Sequence, residues 1–190
     1  MIAPHLIPLP GPAADFAATL RAQIPALETA RCRLRAPLLE DAPHWIAILC
    51  ADEAGHLGGP FDAERAFTEF AATLGTWLLR GHGLWTVTDH ADTVLGFVLI
   101  GFEPGDAEPE LGVLFLPDAR GRGLAAESLR AARDHALATL RLPALVSYTA
   151  PANHAVNRLM KRLGARPDGS IGTLADPALI WRHHPPEVRA

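Results

Sequence analysis

Pro117-Asp118-Ala119-Arg120-Gly121-Arg122-Gly123-Leu124-Ala125 joins an apolar extended run, Leu111 to Leu116, to an alanine-rich run of helical spacing. Two glycines alternate with two arginines in the bend. Glycine lets a backbone come close to an anion, and a following helix turns its unpaired N–H groups and positive dipole end toward it. The stretch reads as a pyrophosphate cradle. A P-loop is excluded, because no Gly-Lys-Ser/Thr follows the glycines.

Upstream of the bend, Leu84–Thr88, a turn at Asp89–Asp92 and Thr93–Phe102 read as a hairpin, and Glu110–Leu116 as the third strand of a meander. Downstream, Ala125, Leu129, Ala132, Ala136 and Leu140 form one apolar helical stripe, stopped by Pro143. Ala144–Thr149 is a buried strand. Asn153 caps a helix with Val156, Leu159, Met160 and Leu163 inward and Gly164 at its C-terminal turn. Ile171 and Ala178–His183 supply the last strands.

Nearer the start, Thr29–Arg35 alternates as one half-buried strand with Cys32 and Leu34 inward. Glu40–Cys50 and a helix capped by Asp62, with Phe67, Phe70, Leu74 and Trp77 on its apolar side, follow. Ala13–Gln23 reads as a short helix behind a proline-broken lead. A meander feeding a strand–helix–strand crossover gives a mixed sheet with helices on both faces. Residues 1–28 read as an N-terminal extension and 29–190 as a single domain.

Of 190 residues, 49% are apolar and 20% charged, an ordinary globular balance. A net charge of -4 argues against a nucleic-acid binder. No apolar run approaches the ~20 residues that span a bilayer. Met1–Pro12 has four prolines and no Lys or Arg, unlike a signal peptide. Cys32 and Cys50 make no disulfide framework. The expectation is a cytoplasmic protein with reduced thiols, engaging neither nucleic acid nor membrane.

Arg120-Gly121-Arg122-Gly123-Leu124-Ala125 resembles the Gln/Arg-x-x-Gly-x-Gly/Ala signature of the GCN5-related N-acetyltransferases (GNAT), which bind acetyl-CoA. Asn153-His154-Ala155-Val156-Asn157-Arg158-Leu159-Met160-Lys161-Arg162-Leu163-Gly164-Ala165 resembles that family's Asn-x-x-Ser-x-Arg-Val-Leu-x-Lys-Leu-Gly-Phe block. Arg33-Leu34-Arg35-Ala36-Pro37 with Glu40-Asp41, and the tail Asp176–His183, are similar to the RimJ/RimL-type branch, which acetylates ribosomal-protein N-termini. The likeness runs from about Thr29 to His184. It implies the GNAT acyl-CoA N-acyltransferase fold, an α/β (α+β) domain. Its mixed, mostly antiparallel twisted sheet of about seven strands is flanked by about four helices. The chain departs from the pattern at Val156, where the family has serine, and at Ala165, where it has an aromatic. Met160 stands where many members carry a tyrosine, and the one tyrosine here is Tyr148.

The resemblance implies acetyl-CoA as cosubstrate and no metal. The amides of Gly121, Arg122, Gly123, Leu124 and Ala125 would hold its pyrophosphate, with Arg120 and Arg122 adding charge-assisted bonds. Val113, Leu114 and Phe115 would bond the pantetheine arm and, near Val113 and Leu114, polarise the thioester carbonyl. Gly112 is expected to mark a bulge that opens the strand pair. Asn153 would cap its helix and bond the arm. The reactive end then falls near Glu110, the candidate general base. An α-amino group, with a reference pKa of ~7.7–8.0, needs little help from such a base.

Asn157, Arg158 and Lys161 read as a solvated face, with contact to the adenosine phosphates as the alternative. Asp52, Glu53 and His56 are either surface charge or the border of an acceptor groove. Trp45, Trp77, Trp85 and Trp181 read mostly as core, with one of them lining the acceptor site as the alternative, and Cys32 and Cys50 read as small apolar residues. His183-His184 lacks a suitably spaced carboxylate or cysteine for a metal. The reading is an acetyl-CoA-dependent N-acetyltransferase acting on a protein N-terminal α-amine by direct attack. A small-molecule amine acetyltransferase (antibiotic or polyamine) and a non-catalytic acetyl-CoA-binding module are the alternatives. Residues 1–28 either pack on the core or reach the neighbour in a homodimer.

Overall fold

The meander and the crossover fuse into one sheet of eight strands, in the order β1-β2-β3-β4-β5-β6-β8-β7. A computed structural model describes residues 3–173 and 177–185. The strands are β1 (Leu27–Glu28), β2 (Arg33–Arg35), β3 (Leu84–Thr88), β4 (Val94–Gly101), β5 (Glu110–Phe115), β6 (Val146–Thr149), β7 (Arg166–Gly172) and β8 (Pro177–Arg182). Neighbours are antiparallel except β5 and β6, which are parallel. The α-helices are α1 (Pro12–Arg21), α2 (Ala42–Leu49), α3 (Ala63–Arg80), α4 (Leu124–Asp134) and α5 (His154–Arg162). Among the described residues the eight strands and five α-helices agree, to within one of each, with the expected sheet of about seven strands and about four helices.

Period-two alternation divides the core between the faces of the sheet. Trp85, Val87, Val98, Ile100, Leu111 and Phe115 pack with Leu124, Leu129 and Ala132 of α4 and Met160 of α5. On the opposite face Leu84, Phe97 and Leu114 pack with Trp45 and Ile48 of α2 and Phe70 of α3. The caps form as the residue types dictate. Arg65 N–H donates to Asp62 at 2.8 Å, and Val156 N–H to Asn153 Oδ1 at 3.2 Å. Gly164 takes a φ of 77° after α5.

Two expectations need correction. Thr29–Arg35 is not one strand. Thr29 Oγ1 donates to the Cys32 carbonyl at 2.7 Å and accepts from the Cys32 N–H at 2.8 Å, closing a turn between β1 and β2. The sheet therefore begins inside the segment read as an extension, and Trp85 Nε1 fastens it by donating to Pro25 O at 2.8 Å. Gly112 marks no bulge, since β4 and β5 keep register from Gly96↔Phe115 to Gly101↔Glu110. Within the meander the register shifts between β3 and β4 instead, where Val87 faces Gly96 and Thr88 faces Val94. A side chain at Gly96 would collide with the Leu114 carbonyl, so glycine is needed there for the close approach of β5. Asp176, first residue of the tail match, lies outside the described residues.

Candidate active site

The site is built where β5 loses a partner. Leu116 N–H donates to Leu95 O at 3.0 Å. Antiparallel alternation then turns the main-chain groups of Leu114 and Gly112 to β4, and those of Leu111, Val113 and Phe115 to the other side. On that side β6 is in register only at Glu110↔Val146. Beyond this point the strands part, leaving Val113 facing a gap. Leu114 enters the site by its side chain, its amide being turned to β4.

The gap opens into a groove of about 300 Å³. Val113, Leu114 and Phe115 form its floor, and Arg120, Gly121, Gly123, Leu124 and Ala125 its end. Asn153, Ala155, Val156 and Leu159 of the α5 segment form one wall. Ile48, Ala51, Glu53, Ala54 and Leu57, from α2 and the 3-10 turn Asp52–Leu57, form the other. Glu53 thus borders the groove, while Asp52 is exposed. The side chain of His56 lies outside the described residues. That α2 supplies a wall was not read from sequence, where its apolar residues signal only core.

The bend winds through two left-handed glycines, Gly121 at φ 74° and Gly123 at φ 79°. No neighbour lies within 4 Å of a Cβ built on Gly121, so backbone conformation rather than space calls for glycine there. Arg120 folds back, its Nε donating to Phe115 O at 2.9 Å. Arg122 does not line the groove. It lines a separate depression with Arg31, Asp89 and His90, because the left-handed residues on either side turn it outward. Its main chain is held from that side: Arg31 Nη1 donates to Arg122 O at 3.0 Å, and Arg31 Nε to Glu127 Oε2 at 2.8 Å. Arg31 read in sequence as an outward-facing strand residue, and nothing local links it to a helix 96 positions on.

Glu110 stands where β5 and β6 are still paired. Burial pushes its carboxyl up to about 7, with Asp106 and Glu103 adding repulsion and the Tyr148 N–H pulling the other way. The Tyr148 phenol is raised by burial and by the same acidic surroundings. Glu110 to Phe115 spans about 17 Å at ~3.3 Å per residue.

Asn157 is not on a solvated face. It accepts from Thr149 Oγ1 at 2.6 Å and donates to Ala150 O at 3.2 Å, tying α5 to the end of β6. Arg158 and Lys161 are exposed. Met160 is buried in the core, away from the groove. Trp45, Trp85 and Trp181 are buried and Trp77 half-buried. Cys32 is buried, which raises its thiol, and Cys50 is half-buried. His183 is buried against Ser147 and His184 is exposed. Among the described residues no three His, Cys, Asp or Glu side chains cluster as metal ligands. No described helix is long and apolar enough to cross a membrane.

The sequence profile of the acetyltransferase (GNAT) domain matches residues 31–166. An acetyltransferase from Agrobacterium tumefaciens str. C58 is 32% identical and superposes with a TM-score of 0.80, over 85% of this chain and 95% of that one. RimL, a ribosomal L7/L12 α-N-protein acetyltransferase solved with coenzyme A, is 15% identical with a TM-score of 0.69, covering 85% and 98%. Spermidine N-acetyltransferase from Vibrio cholerae, solved with CoA and spermine, is 16% identical with a TM-score of 0.67, covering 82% and 96%. At the last two identities the likeness is one of fold.

Proposed function

The chain belongs to the acetyltransferase (GNAT) family, and from that premise we propose that it moves an acetyl group from acetyl-CoA to the α-amine of a protein N-terminus. The cradle amides of Gly121, Arg122, Gly123, Leu124 and Ala125 receive the pyrophosphate at the start of α4. Arg120 uses Nε on the strand, and its Nη groups serve the phosphates. The pantetheine arm runs along Val113, Leu114 and Phe115, with Asn153 beside it. The neutral amine attacks the thioester carbonyl, which the Val113 N–H polarises. The C–S bond breaks, the CoA thiolate leaves, and the amine proton passes through water to Glu110. No acyl-enzyme forms. Arg122 serves through its amide alone.

One observation carries this reading: the cradle and Glu110 lie at opposite ends of one strand whose edge is unpaired between them. The base supports this acceptor class. A carboxylate near 7 suits an α-amine of ~7.7–8.0, and is mismatched to a lysine ε-amine at ~10.4. The acidic neighbours Asp106 and Glu103 favour a second reading, a small polyamine acceptor. Release of CoA from acetyl-CoA, measured with a panel of N-terminal peptides and small amines, separates them. Turnover confined to peptides is expected. Turnover confined to polyamines overturns the acceptor assignment.

A further inference from the structure

At the fork of β5 and β6, two side chains replace main-chain partners. Val146 N–H donates to Pro109 O at 3.0 Å. A continued parallel ladder would next join the Tyr148 N–H to the Leu111 carbonyl, and the Val113 N–H to the Tyr148 carbonyl. Instead Ser147 Oγ donates to Leu111 O at 2.6 Å. The Tyr148 N–H turns to Glu110 Oε1 at 3.4 Å. With both groups engaged elsewhere, register ends at Glu110↔Val146.

Ser147 is held in turn. Its one hydroxyl proton is committed to Leu111, so in the 2.9 Å contact with His183 Nε2 the imidazole donates. His183 therefore carries its proton on Nε2. Its Nδ1 is buried without a partner among the described residues. Ser147 is 2% exposed and His183 4%. A buried imidazole with one orphan nitrogen is costly, and the bond it makes to Ser147 is the specific contact that cost maintains. Burial, with Arg133 of α4 and His184 beside it, holds the imidazole down to about 4, so it is neutral at neutral pH.

We infer that Ser147 and His183 are positioning residues that wedge β6 away from β5, fixing where the cofactor groove begins and where the Glu110 carboxylate is held. This inference rests on the acetyl-CoA reading above for its catalytic consequence, and on hydrogen bonding alone for the wedge. Neither side chain touches the reacting atoms.

The test compares Ser147→Ala, His183→Asn and His183→Gln. Glutamine can present an N–H near the former Nε2, whereas asparagine stops short of Ser147. In Ser147→Ala and His183→Asn the Leu111 carbonyl is expected to take the Tyr148 N–H, closing the ladder by one step. The Val113 amide then exchanges its hydrogen about tenfold more slowly, without any ligand present. KM for acetyl-CoA rises about tenfold while kcat falls less. The acid limb of kcat/KM moves to higher pH, because Glu110 loses the amide that opposes burial, Asp106 and Glu103. His183→Gln stays within about threefold of the parent in each measure. Unchanged Val113 exchange in both Ser147→Ala and His183→Asn overturns the wedge, as does His183→Gln failing like His183→Asn. If Ser147→Ala does not fold, the histidine pair alone decides. Slowed Val113 exchange in the variants, together with a parent protein that gives no heat with coenzyme A, upholds the wedge and refutes the cofactor reading instead.

Discussion

Replacing Glu110 by Gln separates catalysis from stability in one experiment. The carboxyl is raised from 4.5 to about 7, a differential of about 3 kcal/mol between its protonation states. Below pH 4.5 the group is protonated in both folded and unfolded chains and costs nothing. Between 4.5 and 7 the unfolded chain releases the proton that the folded protein keeps, so stability falls as pH rises. Above 7 the folded protein holds a buried carboxylate and carries the full penalty. Glutamine copies the neutral acid and accepts the same Tyr148 N–H. Glu110→Gln is therefore expected to melt with the parent at pH 4.5, and roughly 5–10 °C above it at pH 8. Over the same range the parent's kcat/KM rises through two ionisations, Glu110 near 7 and the amine at ~7.7–8.0, while the variant keeps only the amine's and is lower by a factor of about 10² to 10⁴. Paired thermal melts and pH–rate profiles provide both readouts. A melting difference that does not change with pH refutes the buried-carboxylate argument. An unchanged pH–rate profile removes Glu110 from the reaction.

Gly123→Val sets a β-branched residue at a φ of 79°, which costs about 1–2 kcal/mol of local strain or bends the cradle. Coenzyme A affinity, read by calorimetry, should fall about tenfold or more. Asp41 is 2% exposed and accepts from Arg35 Nη1 at 2.7 Å, the Leu38 N–H at 2.8 Å and Thr86 Oγ1 at 2.7 Å. Asp41→Ala leaves Arg35 without its buried partner, and urea titration should show a loss of about 3 kcal/mol.

The site was legible wherever function is written into short-range pattern. A strand, two spaced glycines and an apolar helical stripe place the glycine bend, β5 and the start of α4 to within a residue or two. That Glu110 opens β5 follows from the same pattern. What escaped is set by contacts between segments far apart in the chain. Arg31 grips the cradle through Glu127 and the Arg122 carbonyl, yet from sequence it is one arginine among three on a strand. Arg122 looks equivalent to Arg120 until the two positive φ angles around it turn it to the other side. Asn157 has the spacing of an exposed helical position. It turns inward because the end of β6 and Trp181 offer it partners. The Thr29 turn leaves no local mark, because alternation of Cys32 and Leu34 satisfies a strand equally well on either side of it.

The opening of β5 from β6 joins these observations into one physical requirement. An acetyl donor laid along β5 needs main-chain groups that the sheet has not used, so β6 must leave before Val113. In the proposed reaction the base is a carboxylate whose pKa is raised by burial, so β6 must stay paired at Glu110 to keep water from it. Both conditions hold only if the strands separate within the few residues between Glu110 and Val113, as the single register pair Glu110↔Val146 records. Shifting the fork one step toward Phe115 would pair the Val113 N–H and remove the edge from the groove. Shifting it one step the other way would let water reach the carboxylate and return its pKa toward 4.5. The raised pKa of Glu110 and the free edge of β5 are therefore two consequences of one strand separation, and a substitution that moves the fork must change both together.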